Sequence, residues 1–306
     1  MSESSPNRPE FPAATIHCPL IRIQPAMSSA KKKEICIRRV WAYNLEPEFD
    51  LIRKHAKGFP FAAVDTEFPG VVYRPLCHHR LLYAHQRYAF IKANVDALQI
   101  IQVGISLSDE EGNLPDFGLP GAGFVWEFNF RDFDVFRHSC AAESIEMLRS
   151  HGVDFNKNRE VGVDSRHFAE LLASSGLIFN GSSVSWVGFH NVYDFGYLIK
   201  ILTRRRLPAT LAGFLGLVSQ IFGDKVFDVK HMIRFCDGVF GGLERVAETL
   251  KVKRLAGVSH QAGSDSLLTL QTFLKLKRGV FEKKGIDKYA GVLHGLEFLQ
   301  PSAFSI

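Results

Sequence analysis

At 306 residues, with 46% of them apolar and 23% charged, the chain has enough hydrophobic material for a sizeable core and is not a disordered polymer. Its formal charge of +5 is compatible with an anionic partner without requiring one. Five scattered cysteines (Cys18, Cys36, Cys77, Cys140 and Cys236) with no C-x-x-C pair argue against a disulfide framework or a structural zinc site.

No apolar run reaches the length of a membrane span, and the first ten residues lack the charged-then-apolar order of a signal peptide. A protein of the cytoplasm or nucleus, without a membrane partner, is expected.

Residues 1–34 are rich in Ser, Pro and charge and read as a mobile tail, with a single domain over 35–300. Order is expected from Ile35. A helix follows with Asn44 as its cap, since Leu45, Phe49, Ile52 and His55 recur at helical spacing. Phe59–Val64 reads as a buried strand and His85–Leu98 as a helix. Gln99–Leu107 and Phe124–Phe130 read as two more strands, the first ending in the polar turn Ser108–Asn113, so that three strands form an antiparallel meander. Helices are predicted at Glu143–His151 and Asp164–Ser175, a strand at Val184–His190, and helices from Tyr193 to Leu202 and from Pro208 to Phe222. Val226–Val229 reads as a short strand, Gly241-Gly242 precedes a helix to Leu250, and Ala262–Arg278 reads as a long helix. A meander followed by strand–helix units is an α/β domain with a mixed central sheet flanked by helices.

The chemistry centres on Val64-Asp65-Thr66-Glu67-Phe68-Pro69-Gly70. Strand side chains repeat every second residue, so Asp65 and Glu67 share a face, roughly 6.5 Å apart along the backbone. Pro69-Gly70 stops the strand and leaves the acids at its carboxyl end, where α/β sheets place ligands. Buried ionised carboxylates need a counter-charge or a metal. Taken alone, the pair could equally be a turn cap and a salt bridge. Asp194 lies where the Val184–His190 strand gives way to a helix, a position that also suits complementing the helix dipole. His260-Gln-Ala-Gly-Ser-Asp265 opens the last helix, with Asp265 one turn in and His260 just ahead; a surface histidine and a first-turn cap are the simpler alternatives. Cys77-His78-His79 has no second ligand pair and reads as a loop.

Together D-x-E, a later Asp, and H-x-A-x-x-D form the signature of the DEDD exonucleases, in the subgroup with a histidine before the last Asp. Val64–Val72, Phe124–Asp132, Tyr193–Lys200 and Val258–Thr269 resemble the CCR-associated factor family, the deadenylase subunits of the carbon-catabolite-repressor–Not complex. The resemblance covers about Ile35 to Gly295. It implies a ribonuclease H-like fold and a 3′→5′ exoribonuclease that removes adenosines from mRNA poly(A) tails, releasing 5′-AMP. It also implies partners: single-stranded RNA, a Not scaffold subunit and a second deadenylase subunit. By the same resemblance Asp65, Glu67, Asp194 and Asp265 hold two divalent ions, Mg²⁺ or Mn²⁺, with Asp65 bridging them, and His260 is the general base.

The chemistry is consistent with that implication. Phosphodiester hydrolysis needs an activated water, neutralised phosphate oxygens and a stabilised leaving alkoxide, all of which a pair of hard divalent ions supplies. His190, four residues before Asp194, is the rival base. Phe68, Phe189 and His190 are candidate substrate contacts, although core packing explains the two phenylalanines equally well. The chain departs from the family at Asn191-Val192, where Ser-Gly is more usual; this bears on RNA contacts and leaves the acids untouched. A DNA exonuclease and a catalytically dead scaffold of the same fold are the other two readings. The intact set of four acids and a histidine speaks against the scaffold.

Overall fold

The computed structural model describes residues 34–297 apart from 79, 80 and 182. Among the described residues six strands form one mixed sheet: β1 (Glu34–Val40), β2 (Phe61–Glu67), β3 (Gln102–Ser108), β4 (Ala122–Asn129), β5 (Ser185–Gly188) and β6 (Val226–Asp228). Their order across the sheet is β1-β4-β3-β2-β5-β6. The β2–β3 and β3–β4 pairs are antiparallel, which is the expected meander, and β2–β5 and β5–β6 are parallel. Strand β1 adds itself parallel to β4 at the sheet's edge, a pairing that nothing in its sequence foretold. Apart from Glu34, which starts that strand opposite Ala122, the expected N-terminal tail lies outside the described residues, as do residues 298–300 of the expected domain.

Ten α-helices surround the sheet: α1 (Leu45–His55), α2 (Ala84–Ala97), α3 (Ala142–Ser150), α4 (Phe155–Val161), α5 (Ser165–Ala173), α6 (Val192–Thr203), α7 (Leu211–Phe222), α8 (Val229–Met232), α9 (Leu243–Thr249) and α10 (Ala262–Arg278), counted among the described residues. The period of two along β2 divides them into layers. Ala62 and Val64 face a large cluster containing Phe49 of α1, Val95 of α2, Phe168 of α5, Phe195 of α6 and Phe214 of α7. Phe61 and Ala63 face the other way, onto Val187, Phe227 and Leu270 and Phe273 of α10. Phe168 is fully buried and edge-packed on Phe49, Phe128 and Phe130, so truncating it would cost about 3–5 kcal/mol.

Helix caps follow local chemistry. Asp164 and Thr210 accept backbone N–H bonds at the starts of α5 and α7, as short oxygen side chains do at such positions. Asn44 does not cap α1: its side-chain oxygen instead accepts the Trp41 N–H at 2.7 Å, because a 3₁₀ turn over Ala42–Asn44 intervenes. Asp154 caps the short α4, and the sequence reading lacked α8, capped by Asp228.

Gly104 sets the distance between sheet and α10. It sits opposite Asp65 in the β2–β3 ladder, and a Cβ there would fall 1.8 Å from the Ala262 carbonyl oxygen. Only a glycine lets the first turn of α10 lie this close to the strand.

Candidate active site

Asp65 and Glu67 follow Phe61 and Ala63 on the α10 side of β2, so the alternation that builds the core also aims both carboxylates at the start of α10. There Asp265 occupies the first turn, and the side-chain atoms of Glu67, His260 and Asp265 come within 4.8 Å of one another. Asp194 reaches the cluster from the opposite layer. Strand β5 ends at Gly188, one residue past Val187, the partner of Ala63, whereas β2 runs on to Glu67; α6 therefore begins beside the exposed end of β2. Asp194 Oδ1 accepts the Thr66 hydroxyl at 2.7 Å.

The electrostatics record this crowding. Burial, then the charges of Asp265, Asp194 and Glu67, hold the Asp65 carboxyl well above its usual range. Glu67 is raised by burial, then by Asp265, Asp194 and Glu127. Burial, with the charge of Asp228 adding to it, pushes Asp194 up to about 7 despite the Thr66 bond. Burial also raises Asp265, although Arg254 opposes the shift. Four carboxylates pressed together in this way outnumber the Arg254 guanidinium beside them, and their hard oxygen donors suit Mg²⁺ or Mn²⁺. The residues fit a divalent centre.

Two histidines flank the acids in matching fashion. His260 has φ +59° and its N–H donates to Asp265 Oδ2 at 2.9 Å; His190 has φ +60° and its N–H donates to Asp228 Oδ1 at 2.9 Å. Left-handed backbone at a histidine is strained by about 1 kcal/mol or more and gathers at functional sites. The His260 ring meets His151 edge-on at 5.0 Å, and Gln261 Nε2 ties this turn to the His151 carbonyl at 2.9 Å. The His190 ring meets His294 in the same way at 5.1 Å.

Phe68 is half-buried and stacks on Tyr193 at 5.0 Å, beside Tyr197 at 5.1 Å. Phe189, also half-buried, packs against the second apolar cluster, with Lys230 Nζ 5.6 Å from its ring centre. Asn191 is fully buried. With its amide oriented to suit both neighbours, it donates to Asp228 Oδ2 at 3.1 Å and accepts from Gly188 N–H. The Asn191-Val192 departure thus adjusts the support of Asp228, since Val192 is buried as well.

Several site residues escaped the sequence reading. Asp228 ends a parallel strand just as the other acids do, and that position was a signal available in Val226-Phe-Asp. Arg254 carried none: Lys251-Val-Lys-Arg254 looks like a solvated charge run. Its guanidinium instead pairs with Asp265 Oδ1 at 2.6 Å, with Glu244, and with the Ser264 hydroxyl. Glu127, two strands away, was hidden within an apolar run.

An acidic centre at the carboxyl ends of the central strands of such a sheet defines a ribonuclease H-like nuclease fold. The description "CAF1 family ribonuclease" matches residues 40–165. The chain is 49% identical over 266 residues to the "probable CCR4-associated factor 1 homolog 7" of Arabidopsis thaliana, spanning 87% of this chain and 95% of the relative. It is 40% identical over 260 residues to the poly(A) ribonuclease pop2 of Schizosaccharomyces pombe, spanning 85% and 75%. The chain belongs to the CAF1 family of ribonucleases. Among solved structures it resembles S. pombe Pop2p in a Mg²⁺- and Mn²⁺-bound form, with a TM-score of 0.78, 40% identity and 85% and 99% of the two chains covered. It also resembles CAF1 co-crystallised with the yeast NOT1 MIF4G domain, with a TM-score of 0.69, 30% identity and 88% and 100% covered.

Proposed function

We propose that this ribonuclease is a 3′→5′ exonuclease acting on the poly(A) tails of mRNA, releasing 5′-AMP as the catalytic subunit of a Not-type complex. The observation that carries the reading is the meeting of Asp65, Glu67, Asp194 and Asp265, from three separate elements, with His260 beside them. These four carboxylates would hold two divalent ions, Mg²⁺ or Mn²⁺, as the metal-bound relative suggests. When bound, such ions supply an activated water, neutralise the scissile phosphate and stabilise the leaving alkoxide.

The chain's own side chains do the rest. His260 stands beside Asp265, where its imidazole is the group that would take the proton of the attacking water. His151 restricts the ring's swing. Thr66 fixes the orientation of Asp194. Arg254 offsets part of the negative charge around Asp265. The poly(A) preference and the Not scaffold rest on the relatives named above, one of them seated on a NOT1 domain; a second deadenylase subunit and residence in cytoplasm and nucleus go with the same reading.

The test is a time course on 5′-labelled RNA ending in adenosines, beside one ending in another base and a DNA of equal length. Stepwise loss from the adenosine 3′ end, dependent on Mg²⁺ or Mn²⁺, is expected. Equal or faster loss from the DNA would overturn the RNA assignment.

A further inference from the structure

Between the last turns of α10 and the loop that follows α9 opens a cavity of about 460 Å³, within the range of about 300–1,000 Å³ usual for ligand sites. The helix rises about 15 Å from Asp265 to Lys275, so this cavity stands apart from the acid centre. Three cations line it, Lys253, Lys275 and Arg278, and no acid is among its lining residues. Lys275 and Arg278 also suit the negative end of the helix dipole, but Lys253 comes from a loop and has no such reason to be there.

These charges are largely uncommitted. Among the described residues Lys253 and Lys275 form no ion pair. The Arg278 guanidinium donates to the Glu110 carbonyl oxygen at 2.7 Å, which holds it in place without neutralising it, while the Glu110 carboxylate pairs with Lys277. Beside the cations, Leu255, which is 46% exposed, and the buried Leu274 give the cavity an apolar side. Gln271 lines it too, and its Oε1 is buried without a hydrogen-bond donor. Buried acceptors of this kind normally have one.

Cations, an apolar side and an unpartnered acceptor together select a ligand. A stretch of acidic polypeptide complements all three: carboxylates for the cations, an apolar side chain for the leucines, and a backbone N–H for Gln271. Inorganic phosphate would use the cations alone. Single-stranded RNA binds through aromatic faces as well as cations, and no aromatic residue lines this cavity. We propose that the cavity docks an acidic linear segment of a partner protein, one with apolar residues between its acids. Docked at this end of α10, the partner would tether the enzyme while leaving the acid centre open. The proposal rests on the lining and not on the nuclease reading.

The experiment measures, by fluorescence anisotropy, binding to the full chain of an array of labelled hexapeptides. Each has two acids at either end and two apolar residues (Leu, Ile, Val, Met or Phe) in the middle; a charge-matched Asp-Glu-Gly-Ser-Asp-Glu peptide is the control. The best member should bind the wild type about tenfold or more tightly than the control, the worth of burying an apolar side chain. Lys253→Gln with Lys275→Gln should weaken that peptide roughly fivefold or more. Gln271→Leu should weaken it roughly two- to tenfold. Hydrolysis of oligoadenylate should be unchanged in both variants, which also reports that they are folded. Should the double variant fail to fold, Lys275→Gln alone is read in the same way, with a smaller loss. An array in which no member outbinds the Gly-Ser control would overturn the proposal, as would variant affinities equal to the wild type's. Displacement of the peptide by hexa-adenylate, with the same losses in the variants, would overturn it in favour of a nucleic-acid surface.

Discussion

Arg254 and Asp265 form a 2.6 Å ion pair, with the two side chains 14% and 11% exposed. Among the described residues this guanidinium is the counter-charge that reaches the acid centre, and it acts on Asp65 as well as on Asp265. Arg254→Met would leave Asp265 and the neighbouring acids without it. Breaking a buried pair on one side costs about 3–5 kcal/mol. In EDTA the variant should melt well below the wild type, and Mn²⁺ should raise its Tm by more than it raises the wild type's, because metal replaces the lost positive charge. Thermal melts with and without Mn²⁺ check both statements; an equal metal-induced rise would contradict the electrostatic account.

Gly104 is the steric condition for the site. In Gly104→Ala the new methyl would fall 1.8 Å from the Ala262 carbonyl, a contact with backbone that no rotamer relieves. The first turn of α10, and Asp265 with it, must move off the sheet. Activity should fall at least as steeply as stability: the variant should bind Mn²⁺ more weakly even at temperatures where circular dichroism shows it folded.

The acid centre makes metal-free stability depend on pH in a direction opposite to that of salt-bridged carboxylates. Asp65, Glu67, Asp194 and Asp265 bind protons more tightly folded than unfolded, since their folded values are raised. Their contribution to stability is therefore complete below the unfolded value, 3.8 for an aspartate, and is lost as pH rises through the folded value, about 7 for Asp194. Divalent metal cancels the loss. The rise in Tm on adding Mn²⁺ should be distinctly larger at pH 8 than at pH 5.5, which calorimetry in EDTA and in Mn²⁺ measures directly.

Much of this was legible in the chain because the signals were local. The long last helix has a broad apolar side, and its limits, Ala262–Arg278, were found to the residue. The D-x-E strand read correctly because period-two alternation and Pro69-Gly70 fix both its face and its end. What stayed hidden depends on distant partners. The parallel docking of Glu34–Val40 on β4 is decided by the edge that β4 offers. Asn44 has the chemistry of a cap, yet the turn ahead of it redirects its oxygen to Trp41. Arg254 is indistinguishable by sequence from its lysine neighbours, and only the packing of the loop after α9 against Ser264 turns it inward. Phe68 stacks on Tyr193 and Phe189 packs on the second apolar cluster, each of them half-buried.

His260→Ala should slow hydrolysis by roughly 10²–10⁴-fold, the usual worth of a general base. His190→Ala should slow it far less, since His190 is tied to Asp228 rather than to Asp265. Paired turnover rates of the two variants in saturating Mn²⁺ distinguish the two histidines.

The most direct measurement is hydrolysis of 5′-labelled oligoadenylate by Asp65→Asn in Mg²⁺ and in Mn²⁺, alongside its melting temperature in EDTA. The substitution keeps the shape of the side chain and removes one of four mutually repelling charges, so the metal-free variant should melt at or above the wild-type temperature while cleavage falls to background. Cleavage at the wild-type rate would contradict the assignment of these carboxylates to a metal-binding catalytic centre.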